Sequence, residues 1–147
     1  MAKAAVKLKP GNRAKVRREI ADYLVARYAP GLTLKVADCR IGRKRTRVSM
    51  VRVARADSAD PNMLVWQPLN GGFTTLLHEI GHHRLEGHGT PKSALAEIVN
   101  EAVAWRWAEW AARQENLWFD YEMADRDFAT YTRSAPIKIN WRKKDVF

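Results

Sequence analysis

The chain has 147 residues, 46% of them apolar, which suits one domain with a real core and excludes wholesale disorder. Its 26 Lys and Arg against 16 Asp and Glu leave a net charge of +10, a surface that draws polyanions or acidic partners over about 8 Å at physiological salt. The single cysteine, Cys39, excludes an internal disulfide and a thiolate-rich zinc site. No apolar run approaches the roughly 20 residues of a membrane span, and the basic N-terminus lacks the apolar stretch of a secretory signal, so a cytoplasmic protein is expected.

In chain order, residues 1–12 read as a basic tail. Arg13 to Tyr28 carries Val16, Ile20, Leu24 and Val25 at helical spacing, and Pro30-Gly31 stops that helix. Leu32 to Ala37 alternates like a strand, and Arg45 to Arg55 is rich in extended-chain residues. Met63 to Trp66 is a third short strand, bounded by Asp60-Pro61-Asn62 and Pro68. Asn70-Gly71-Gly72 opens a helix from about Phe73 to Glu86, which Gly87 and Gly89 end. Thr90 is the expected cap of a long helix with Pro91 at its first position, running to about Glu115. A last helix from about Phe119 to Tyr131 precedes a basic tail over residues 135–147. Helix, three strands, then helices predict a single α+β domain over 1–147 with a small three-stranded antiparallel or mixed sheet. Met63 to Trp66 is either a core strand or a sheet edge able to pair with an extended substrate.

The helix after Gly72 carries the chemistry. Residues four apart on a helix are separated by about 40° and 6 Å, so His78 and His82 project from one face and can share a cation. Phe73, Leu76, Leu77 and Ile80 occupy the opposite face, which buries the apolar side and turns both imidazoles to a cleft. Glu79 stands beside them, placed to act as general base on a water without being a ligand. Zinc needs a third protein ligand, and Glu101, His88 and Glu97 compete for that place. Glu101 shares a stripe with Ala94, Ile98, Trp105, Ala108 and Ala112. A carboxylate there is costly to bury unless paired or bound to a metal, which makes Glu101 the leading choice. His88 lies six residues beyond His82, and Glu97 sits at the edge of the stripe.

His78-Glu79-x-x-His82, followed 19 residues after His82 by Asn100-Glu101-Ala102, resembles the gluzincin clan of metallopeptidases. Glu101-Ala102-Val103-Ala104-Trp105 is similar to the Glu-Ala-x-x-aromatic pattern of the ImmA/IrrE-like peptidases, small cytosolic or phage-linked enzymes, some of which cleave transcriptional repressors. The matching stretch runs from about Thr74 to Ala108. The resemblance implies a minimal zincin-like fold and a zinc-dependent endopeptidase, with Glu101 as third ligand. Trp105 stands where thermolysin-type enzymes have an aspartate. His88 also fits metzincin spacing, although Leu85 occupies their turn glycine and Met123 makes a poor Met-turn. Gly87-His88-Gly89 is similar to the Gly-His-Gly of SprT-like DNA-linked proteases, placed earlier than in that family.

His83, His88, Tyr121 and Tyr131 are candidate donors to an oxyanion, Ser93 and Asn100 candidate supports for the ligands, and Cys39 a ligand of a latent state or an inert thiol. Val99, Val103, Trp107 and Trp110 form a second apolar side of the long helix, to be covered by the last helix or another subunit. A protein or peptide substrate is expected. The competing readings are a nucleic-acid-associated protein, supported by Arg43-Lys44-Arg45 and Arg142-Lys143-Lys144, and a binding module with a dead site.

Overall fold

The computed structural model describes residues 10–36, 40–41, 44–45, 52–53, 63–66, 72–85, 93–133, 135 and 139–142. Helix α1 spans Pro10–Tyr28, three residues longer than the periodicity suggests. Proline at its first position lacks only an N–H that would be unsatisfied there anyway, so the helix takes in the last residues of the expected tail. Ala21, Leu24, Val25 and Tyr28 form its buried stripe. Its C-terminus is closed from outside: Arg84 Nη1 donates to Tyr28 O at 2.7 Å, satisfying a carbonyl that the helix cannot.

Among the described residues five short strands follow: β1 (Thr33–Val36), β2 (Arg40–Ile41), β3 (Lys44–Arg45), β4 (Arg52–Val53) and β5 (Met63–Trp66). The chief pairing is parallel, β1 with β5, in the register Leu34 with Leu64 and Val36 with Trp66. The alternation buries Leu34, Leu64 and Trp66 on one side. Of the stretch Arg45 to Arg55, the described residues Arg52 and Val53 of β4 pair antiparallel with Leu64 and Met63 of β5. β1 lies along one side of β5, and β4 lies on the other against Met63 and Leu64. β2 and β3 form a separate antiparallel pair.

Helix α2 (Gly72–Leu85) starts at Gly72, whose φ of +56° is the left-handed region that glycine adopts without strain. Trp66 Nε1 donates to Gly72 O at 3.0 Å and its ring stacks on Phe73, locking strand to helix. Helix α3 (Ala94–Gln114) begins later than expected, because Ser93, not Thr90, is its cap: Ser93 Oγ accepts from Ala96 N at 3.1 Å. Its end is a Schellman turn. Asn116 sits at φ 54°, Leu117 N bonds Ala112 O at 2.8 Å, and Asn116 N bonds Arg113 O at 3.2 Å. Helix α4 (Tyr121–Thr132) starts two residues after the expected point, capped by Asp120, whose Oδ1 accepts from Met123 N.

The core is one cluster drawn from all four helices and the β1–β5 pair. Helices α2 and α3 form its main interface, and Gly81 marks their closest approach. A Cβ there would meet Ala104 O at 3.0 Å, Ala104 Cα at 3.3 Å and Trp107 Cε3 at 3.3 Å. Trp141, expected in a basic tail, is 1% exposed and packs against Trp105, Phe119 and Tyr121. Its indole N–H donates to Asp125 Oδ1 at 3.0 Å, which gives the buried ring a polar partner. The architecture is α+β and mostly helical. Among the described residues no helix is long and apolar enough to cross a membrane.

Candidate metal centre

The turn of α2 between His78 and His82 faces Glu101 of α3 across the tight interface at Gly81. His78 Nε2 lies 3.0 Å from His82 Nε2 and 3.1 Å from Glu101 Oε2, and His82 Nε2 lies 2.9 Å from Glu101 Oε1. Among the described residues these three side chains are the only group of three or more His, Cys, Asp or Glu with donor atoms close enough for one cation. His78 and Glu101 are buried and His82 is half-buried, so one side of the cluster meets solvent.

The chemistry of the donors fits a divalent cation. Ligands on one tetrahedral zinc, with bonds of about 2.0–2.1 Å, stand about 3.3 Å apart. The observed 2.9–3.1 Å is within a few tenths of an ångström of that spacing. Glu101 Oε2 is buried without an aligned hydrogen bond despite its 3.1 Å contact with His78, so these atoms converge on a point rather than along a donor–acceptor line. Two imidazoles and a carboxylate are a donor set that could hold a metal ion with a fourth position left over.

Electrostatics follows from burial and this convergence. Burial drives His78 below the ordinary histidine value, and Glu101 only partly opposes it; the ring is thus neutral and its nitrogen free to ligate. For His82 burial also works downward, but contact with Glu101 outweighs it and the value rises. Burial would raise Glu101, yet contacts with both histidines bring it down to about 2. Glu101 thus favours the charged form of His82, and a cation would take over that role.

The surroundings sort the remaining residues. Trp105 stacks on the His78 ring, with centroids 3.8 Å apart and planes at 22°, and fixes its rotation. In the position where the thermolysin-type resemblance has an aspartate, this chain uses an indole face. A carboxylate does reach the region from elsewhere: Asp127 of α4 is raised first by burial and also by Glu101, while His78, His82 and the side chain of Trp105 favour its charge. Asp127 was not a candidate from sequence, although Ala124, Asp127, Phe128 and Tyr131 lie on one face of α4, with Ala124 and Phe128 buried. Among the candidate donors, Tyr131 faces the site; burial and then the carboxylates of Glu101, Asp127, Glu97 and Glu79 push its hydroxyl upward. Tyr121 lies elsewhere, stacked near Trp141.

Glu79 is half-buried on the same turn as the two histidines and acts electrostatically on His82. Glu97 is exposed and does not join the cluster. Ser93 caps α3 and is exposed, so it supports the helix rather than a ligand. Asn100 and His83 are half-buried and stand outside the three-residue group. His88 and Cys39 lie outside the described residues, as do Thr90 and Pro91. Comparison with known proteins returned no match to any family model, curated protein or solved structure.

Proposed function

We propose that this chain is a zinc-dependent endopeptidase of gluzincin type, with His78, His82 and Glu101 as ligands and Glu79 as general base. The observation that carries the reading is the convergence of those three side chains from two helices, with Glu79 one residue from a ligand. Zinc in such a site acidifies a water and polarises a carbonyl oxygen.

The chain's own groups do the rest. Burial keeps His78 neutral against the pull of Glu101, contact with Glu101 orients His82, and the Trp105 face prevents the His78 ring from turning. Glu79 accepts the proton of the attacking water and returns it to the departing amine. Tyr131, kept protonated first by burial and then by the charges of Glu101, Asp127, Glu97 and Glu79, donates a hydrogen bond to the developing oxyanion. Burial pushes the Asp127 carboxyl up while His78 and His82 favour its charge, so its negative form would support a cation held by the ligands. The sheet completes as a small three-stranded unit of the minimal zincin kind, and the substrate is a protein or peptide met in the cytoplasm.

The test joins metal content to turnover. Purified protein, Glu79→Gln and Glu101→Ala are assayed for bound zinc and for hydrolysis of a quenched peptide library. Glu79→Gln is expected to keep zinc and lose turnover by at least about 100-fold. Glu101→Ala is expected to lose both. Turnover that survives in Glu79→Gln would refute the hydrolase, and zinc retained in Glu101→Ala but lost in His88→Ala would refute the ligand set.

A further inference from the structure

The back of α3 carries a second feature, independent of the metal centre. Val103, Arg106, Trp107, Trp110 and Arg113 lie on the side of the helix opposite Glu101. They line a cavity of about 750 Å³ whose far wall is Tyr121 and Arg142. Three arginines line it, with Glu109 the one acidic residue in the lining, and Arg142 also pairs with Asp125 at 2.5 Å. Glu109 is itself bonded to Arg113 at 2.6 Å.

Aromatic rings are interleaved with these cations. Tyr28, Trp107 and Trp110 form a three-ring cluster, each pair of centroids 5.3–6.3 Å apart, with Tyr28 buried. Arg84 lies over Trp107 at 5.3 Å, and Arg142 over Tyr121 at 4.7 Å. Trp110 is 50% exposed although α4 packs on the same helix, so the last helix does not cover this side. An exposed indole in a wall of guanidinium groups suits a ligand that offers flat π-faces and negative charge together. Duplex nucleic acid hides its base faces in the stack, and an acidic peptide offers charge without flat faces.

We infer that the Arg106–Trp110–Arg142 groove binds single-stranded nucleic acid, with one or two bases on Trp110 and the neighbouring phosphates on Arg106 and Arg113. The net charge of +10 supplies long-range attraction, and the groove supplies the contact that distinguishes a single strand from any other polyanion.

Binding of a fluorescein-labelled 12-mer oligothymidylate to the full chain is measured by anisotropy from 50 to 200 mM salt, with chelator present so that metal occupancy plays no part. Trp110→Ala is expected to weaken binding at least about tenfold, the scale of one lost base stack. Arg106→Ala with Arg113→Ala is expected to lower the salt slope by about 1.4, or about 0.7 per phosphate contact. Arg13→Ala with Arg17→Ala, exposed on α1, removes the same charge and serves as the control. The groove is refuted if its variants weaken binding no more than the control does. It is equally refuted if a duplex of the same length binds as tightly, or if an oligoglutamate peptide competes as well as unlabelled oligothymidylate. Should Trp110→Ala lose its melting transition, the paired arginine variant decides by the same comparison.

Discussion

Gly81→Ala isolates the contact that sets the depth of the metal centre. Glycine inside a helix usually costs stability, and alanine there gains about 1 kcal/mol. At Gly81 the added methyl would stand 3.0 Å from Ala104 O and 3.3 Å from both Ala104 Cα and Trp107 Cε3. Carbon contacts of this kind relax to about 3.3–3.6 Å to oxygen and 3.5–4.0 Å to carbon, so α2 and α3 must part by a few tenths of an ångström. Overpacking of that order costs about 1–3 kcal/mol, which outweighs the helix gain and leaves the variant about 0–2 kcal/mol less stable. Ala104 is one turn beyond Glu101 on the same helix, so the displacement reaches the carboxylate that both histidines contact. Urea unfolding with chelator present, and zinc affinity by competition with a chromophoric chelator, read the two effects separately. A variant about 1 kcal/mol more stable than the parent, with unchanged zinc affinity, would refute the close-approach argument.

Five further outcomes are expected. In protein stripped of metal, the His82 contribution to stability is full below the ordinary value of 6.5 and is lost as pH rises through its raised value. The Glu101 contribution runs the other way, present above 4.5 and lost as pH falls towards about 2, so their pairing is strongest between those ordinary values. Because zinc must displace the His82 proton, its affinity should weaken about tenfold per pH unit below the raised value, and a flat profile between pH 5 and 7 would remove His82 from the site. Asp127→Asn should weaken zinc about tenfold while leaving the urea midpoint nearly unchanged; equal affinities would show that its charge does not reach the ligands. Trp141→Ala, which empties a site only 1% exposed, should cost about 3–5 kcal/mol in urea unfolding, whereas a tail residue would cost nothing. Asn116→Ala forces a Cβ-bearing residue without an amide into φ 54° and should cost about 1 kcal/mol, with Asn116→Gly neutral or stabilising in a thermal melt.

Much of the site was legible because helices are periodic. Spacing alone puts His78 and His82 on one face, and the wheel of α3 isolates Glu101 as a carboxylate on an apolar stripe; the coordinates bring all three within contact. The same reasoning applied to α4 would have found Asp127, which lies one residue before buried Phe128 and three after buried Ala124. What the sequence conceals is long-range. Arg142-Lys143-Lys144 makes the neighbourhood of Trp141 read as solvated, yet the ring is recruited by Trp105, Phe119 and Tyr121, and nothing local announces those partners. Thr90-Pro91 is a good local helix start, while in the described residues Ser93 is the cap whose hydroxyl accepts from Ala96 N. The partners of β5 depend on chain segments far from it, so one strand pattern served equally for an edge and for a core strand.

Glu115, at the far end of α3 from the carboxylate that faces the histidines, receives Tyr28 Oη at 2.5 Å, Tyr23 Oη at 3.1 Å and Arg27 Nε at 3.2 Å, all from α1. Fourteen residues of helix separate it from Glu101, a rod about 21 Å long at about 1.5 Å per residue. A tilt of about 2° at the anchored end therefore swings the other by about 0.7 Å over that length, more than a coordination bond tolerates. Helix α1 contributes no donor atom, yet it steadies a lever whose tip does, so residues 23, 27 and 28 belong to the mechanics of the centre without touching it.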